Sequence, residues 1–188
     1  MNLATKHDLV VRIEARPGRF VWEEDTLLSA YRREPISDQI ADELQSTLVL
    51  GAERTPEQDL EFSVRRIVEI AQRALSSGIN DPTTALYCID RLGQTFGRMA
   101  ERDIPSPLRI DEEGRLRIAT ETTSLEELAC PAFAAVARYG IADADVVTKL
   151  LGTIDMVIRA APPAAANAIL ELRKEIHRES SNQLRPGL

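Results

Sequence analysis

The sequence predicts an α+β protein, predominantly α-helical: an antiparallel helical bundle with a small N-terminal β unit and one inserted β-hairpin. Three stretches predict it. Residues 54–92 read as two amphipathic helices joined by a tight polar connection. Residues 8–31 alternate between apolar and polar in the manner of short strands separated by turns. Residues 108–118 place Leu108 and Ile110 opposite Leu116 and Ile118, across an Asp111-Glu112-Glu113-Gly114 turn.

At the N-terminus, Leu9, Val11, Ile13 and Ala15 share one side of a strand, and Pro17-Gly18 fits the central positions of a type II turn. Phe20 to Trp22 and Thr26 to Tyr31 read as further short strands around the acidic Glu23-Glu24-Asp25. Trp22, the single tryptophan, is expected to pack onto the helices. Such a β unit is too small to stand alone, so the later hairpin is expected to join its sheet. Ser37 can cap a helix carrying Ile40, Ala41, Leu44 and Leu48, with Gly51 ending it.

In the central pair, Thr55 suits an N-cap, Pro56 the first helical position and Gln58 a capping box. Leu60, Val64, Ile67, Val68, Ala71, Ala74 and Leu75 then form one stripe. Gly78 is expected to end that helix with a positive φ. Asp81 and Pro82 restart the chain as cap and first residue of a second helix. Ala85, Leu86, Ile89, Leu92, Phe96 and Met99 are its buried stripe. Beyond the hairpin, Ser124 and Glu127 form a capping box, and Pro131 should bend or restart the helix they open. Two helices follow near 143–160 and 162–182, then a polar tail. The β unit is taken as 1–34 and the bundle as 35–188, with the hairpin at about 108–119, all in one compact domain.

The central stretch also carries a resemblance. Arg54-Thr55, Gln58-Asp59, Phe62, Ile70-Ala71, Arg73-Ala74-Leu75-Ser76, Gly78-Ile79-Asn80-Asp81-Pro82, Thr84-Ala85 and Asp90-Arg91-Leu92 together resemble a large bacterial family of predicted multi-pass membrane proteins, filed as domain of unknown function 2254. Arg16-Pro17-Gly18 and Phe20-Val21 are a weaker echo, similar to the turn that follows the last membrane helix in that family. The resemblance implies a soluble C-terminal portion of an inner-membrane protein, and imports no activity. The chain itself shows no span, because Lys149, Asp155, Arg159 and Pro162-Pro163 interrupt its most apolar run, 146–166. An excised piece is therefore expected, on the cytoplasmic side because Cys88 and Cys130 read as buried, reduced thiols.

Composition narrows function further. A net charge of −7 argues against nucleic acid as a partner. The chain has two histidines, His7 in an expectedly frayed terminus and His177 on a polar helix face, so histidine-based hydrolysis is not expected. Two isolated cysteines and two isolated histidines lack the spacing of a zinc site, and no phosphate loop is present. No cofactor and no catalytic residue is expected.

What remains is the polar corner of the central pair. Asn80 and Asp81 stand at a helix N-terminus, where free amides attract anions. Arg54, Arg73 and Arg91 could add positive charge, with Asp59 and Asp90 as their partners. These seven residues are the candidate site for a small anionic ligand or, through the carboxylates, for a hard metal ion. The plainer and preferred reading is that Asp81 caps a helix, Asn80 completes the turn and the arginines form salt bridges. Likewise Arg109, Arg115 and Arg117 on the hairpin read as a solvated face. Three functions fit, in this order: a ligand-sensing or regulatory module attached to a membrane segment, a homo-oligomerisation domain, and a carboxylate enzyme using Asp59, Asp81 or Asp90 with Mg²⁺.

Overall fold

The computed structural model describes residues 1–183; the predicted polar tail at 184–188 lies outside them. The fold is α+β and mostly helical, with seven helices and one four-stranded mixed sheet among the described residues. It divides into two compact units. One comprises residues 1–59 with 104–122, the other residues 60–103 with the chain from 123 on. The helix after the β unit and the hairpin thus group with the N-terminal strands.

The first unit holds α1 (Asn2–Lys6), β1 (Val10–Ile13), β2 (Leu28–Tyr31), α2 (Asp38–Gln45), β3 (Leu108–Ile110) and β4 (Leu116–Ala119). Strand order is β2-β1-β4-β3. β1 pairs antiparallel with β2 and parallel with β4, with Val11 opposite Ile118. The hairpin therefore joins the N-terminal sheet, as the weakness of either piece alone requires. Ala4, Leu9, Val11, Ile40 and Leu44 form the core of this unit, flanked by Leu3, Leu28, Ala30 and Ile36.

Four expectations for this unit are corrected. Phe20 to Trp22 is not a strand: the Trp22 amide donates to the Asp25 carboxylate at 3.1 Å and the Asp25 amide to the Trp22 carbonyl at 3.1 Å, so these donors serve a turn, not a ladder. Trp22 is exposed, edge-on to an equally exposed Phe20, and not packed on helices. α2 ends at Gln45, short of Gly51. There the Ser46 and Thr47 hydroxyls bond the carbonyls of Glu43 and Leu44, and so compete with helix continuation. Ser37 stands at the N-cap without a side-chain cap bond.

The second unit holds α3 (Leu60–Ala74), α4 (Pro82–Ala100), α5 (Leu125–Gly140), α6 (Ala144–Ala160) and α7 (Pro163–Gln183). Val64, Val68, Ala71, Ile89, Leu92, Phe133, Val136, Leu150, Ile154 and Ile169 lie in one continuous apolar core. Phe96 meets Phe133 edge-on at 5.3 Å within it. Asp81 caps α4 with Pro82 first, and Ser124 with Glu127 forms both bonds of a capping box on α5, as their spacing predicts. Asp143 caps α6 by accepting from two amides. Cys88 is buried, Cys130 half-buried, and neither is in a disulfide.

Three local expectations fail here too. α3 begins at Leu60, and Pro56 to Gln58 form a turn ahead of it. Gly78 does not take a positive φ; Asn80 does, at +49°, once the amides of Ile79 and Asn80 have bonded Ser76. Asparagine tolerates the left-handed region, so the reversal shifts two residues on. α5 does not restart at Pro131, the one of the two expected outcomes that is excluded. Pro131 and Glu127, whose carbonyl loses its helical donor, are both exposed, so water can satisfy that carbonyl.

α4 and α6 approach closely at Gly93. A Cβ there would lie 2.5 Å from Thr153 Cγ2 and 3.2 Å from Met156 Cε, and Thr153 is a buried, β-branched residue with little rotamer freedom. Gly93→Ala should therefore cost about 1–3 kcal/mol despite alanine's better helix propensity. Combined with Thr153→Ser, which removes the opposing methyl, the loss should shrink or change sign. Urea denaturation of both single variants and the double variant checks this, and additive losses would refute it.

Candidate functional site

The seven candidate residues fall into two groups, one in each unit. In the first unit, Arg54 and Asp59 pair with each other: Nε donates to Oδ2 at 2.7 Å and Nη2 to Oδ1 at 2.9 Å, a two-pronged geometry that fixes both planes. Asp59 is buried and lies against Gly18, whose φ is +79°. A Cβ on Gly18 would stand 1.7 Å from Asp59 Oδ2, so this approach needs glycine twice over, for the space and for the backbone. The Arg19 amide closes the expected turn by bonding the Arg16 carbonyl at 3.2 Å. Two motif pieces far apart in sequence, Arg16-Pro17-Gly18 and Arg54 to Asp59, thus meet. Arg16 Nε also lies 2.9 Å from Glu121 at the far end of the hairpin.

In the second unit, Arg73 and Asn80 are exposed at the α3–α4 connection. The Asp81 carboxylate accepts from the Thr84 amide at 3.1 Å and from its hydroxyl, and these bonds hold its pKa below the usual carboxylate value. A negative charge therefore already occupies the N-terminus of α4, where an anion would bind. Asp90 and Arg91 stand nine and ten residues further along the same helix. Asp90 pairs with Lys149 of α6, and the exposed Arg91 donates to Gln94 at 3.2 Å. Asp81 and Asp90 thus belong to separate constellations. Among the described residues, no group of three or more His, Cys, Asp or Glu could hold a metal ion.

The group that sequence reasoning missed is Arg117. Its expected solvated position is corrected: Arg117 is buried. Nε donates to Asp111 at 2.7 Å, and Nη1 to Asp8 at 2.8 Å and to the Leu9 carbonyl at 3.4 Å. The cause is a bulge. Arg109 faces Ile118 and Ile110 faces Leu116, so Arg117 is an extra residue on β4 and its side chain is re-aimed inward. Leu108, Ile110 and Leu116 face outward instead. Burial opposes ionisation of Asp111, but the Arg115 amide and the Arg117 guanidinium outweigh it and bring its pKa to about 2. His7 is not frayed either; its Nε2 lies 3.0 Å from Glu43, whose pKa Lys6 and His7 lower. His177 is exposed, as its helix face predicts.

These features define a class: a mostly helical α+β module whose acidic candidate residues hold ion pairs and a helix cap. The chain belongs to the family described as "Predicted membrane protein (DUF2254)", whose profile matches residues 1–156. It is 35% identical over 108 residues to an uncharacterized protein of Mycobacterium bovis and to two of Mycobacterium tuberculosis. The match covers 57% of this chain and 21% of each relative, so the chain corresponds to about a fifth of their length. No solved structure matches it. No helix among the described residues is long and apolar enough to cross a membrane.

Arg117 supplies a direct test. Arg117→Met takes the buried guanidinium from Asp111 and leaves it only the exposed Arg115, whose Nε lies 3.4 Å away, and it should lower the melting temperature far more than Arg65→Ala, which removes an exposed i,i+4 pair with Glu61. Because the folded pKa of Asp111 is depressed, its contribution is present above the unfolded value of about 3.9 and lost as pH falls toward about 2. Thermal melts across that window should show a steeper decline in the wild type than in Asp111→Asn. Equal slopes would contradict the assignment.

Proposed function

We propose that this chain is the C-terminal regulatory portion of a multi-pass bacterial membrane protein, held outside the bilayer, where it senses a small ligand and biases the embedded part. The observation that carries the reading is the family match over residues 1–156, together with described helices too short or too polar to cross a membrane. The relatives extend far beyond the matched segment, which leaves room for such a part. The free thiols of Cys88 and Cys130 favour the cytoplasmic side. On this reading α3 to α7 form an antiparallel bundle, and its ligand-facing rim is the exposed Arg73 and Asn80 at the α3–α4 connection, directed at an anion.

Thermal-shift measurements with inorganic phosphate, nucleotides, sugar phosphates and divalent ions test this proposal. An anion should raise the melting temperature of the wild type, and Arg73→Ala should abolish that rise. Asp81→Asn should lower the starting temperature through a weakened cap without removing the response. If no compound shifts the wild type, the sensing role is lost.

Homo-oligomerisation is a second reading, favoured by the outward-facing Leu108, Ile110 and Leu116 on the hairpin. Light scattering over a wide concentration range should then show a dimer or larger species that Leu108→Glu dissociates. A strict monomer throughout would exclude it for this chain.

A further inference from the structure

The connection between β1 and β2, residues 14–27, is far longer than the usual hairpin loop of about 2–5 residues, although the strands it joins pair directly. It is not slack. The Arg16–Arg19 turn fixes one side, with Gly18 seated against the Asp59 carboxylate that Arg54 holds. The Trp22–Asp25 turn fixes the other through two hydrogen bonds of 3.1 Å. Between them stand Phe20 and Trp22, 74% and 70% exposed, with ring centroids 5.1 Å apart. Two large aromatics held edge-on in water are a surface for recognition, since burying them would be strongly favourable.

From this geometry we infer that the Phe20–Trp22 tip docks into a bilayer interface of zwitterionic lipid headgroups. Three observations select this occupant. The chain belongs to a family of predicted membrane proteins. Phenylalanine and tryptophan suit the boundary between headgroup and acyl chain, where one end of the indole is apolar and the other hydrogen-bonds. Glu23, Glu24 and Asp25 follow the tip and Arg19 precedes it, a local excess of two carboxylates, and the whole chain carries −7. That charge repels anionic lipid but complements the ammonium group that zwitterionic heads present outermost, and an ammonium also binds aromatic faces. The inference rests on reading the chain as a portion held beside a membrane.

Trp22 is the only tryptophan, so its fluorescence reports on the tip alone. The 188-residue chain is titrated with vesicles of phosphatidylcholine and phosphatidylethanolamine, and separately with phosphatidylglycerol vesicles. Zwitterionic vesicles should shift the emission to shorter wavelength, and brominated acyl chains should quench it. Phe20→Ala, an exposed change, should weaken the association roughly fivefold, the factor that partial burial of one aromatic carries. Unchanged emission with vesicles, or a shift with phosphatidylglycerol alone, would overturn the proposal. So would a shift that appears without lipid as protein concentration rises, which would make a second copy the occupant. A failed vesicle titration leaves the anion thermal shift standing, so the two readings fail separately.

Discussion

A buried guanidinium shared by two carboxylates governs the sheet. Arg117 lies on β4, Asp111 on the hairpin turn and Asp8 on the step between α1 and β1. The step itself is unusual, because Asp8 has a φ of +50°. A charge that far from water is tolerated only where its donors meet acceptors, and here three acceptors converge on it. The same contact addresses a topological difficulty. β1 and β4 pair in parallel although the whole of α3 and α4 lies between them in sequence. Closing so long a loop costs entropy before any contact offsets it, and a short ladder offers little in return. The ion triad adds a directional tie at the joint where that pairing begins.

The triad also explains why the hairpin faces as it does. Alternation alone would send Leu108, Ile110, Leu116 and Ile118 to one side and the arginines to the other. The bulge breaks that bookkeeping: Ile118 stays with Val11 while Leu116 turns outward beside Ile110. Apolar exposure on the hairpin is thus a consequence of burying Arg117. In the second unit the apolar stripes of α4, α5 and α6 agree with their caps at Asp81, Ser124 and Asp143.

This contrast marks what the sequence could convey. The caps at Asp81 and Ser124, the break between α6 and α7 and the type II turn at Gly18 are local chemistry, and each was legible from a few neighbouring residues. The start of α3 was not. Thr55-Pro56-Glu57-Gln58 looks like a capping box, but Asp59 is committed to Arg54 and Gly18, and the helix begins only after it. Gly78 and Asn80 could each have supplied the left-handed residue, and glycine's lower strain was not decisive. Among the candidate residues, Arg54 and Asp59 were named as charge partners, which they are. Their meeting with Gly18 depends on contacts across some 40 positions, which no local pattern encodes.

The protonation chemistry follows the same framework. Asp8, Glu43, Glu57, Asp81, Asp111 and Asp155 are all shifted down, by hydrogen bonds and neighbouring cations; Cys88 and Cys130 are shifted up by burial. Arg115, Arg117 and Arg173 are shifted up by their carboxylate partners. Each of these shifts carries a pKa further from neutral pH, so the carboxylates and guanidinia stay charged and the thiols stay protonated. Ion pairs and caps arranged in this way hold shape. Outside that framework stand the exposed Arg73 and the exposed aromatic pair of Phe20 and Trp22.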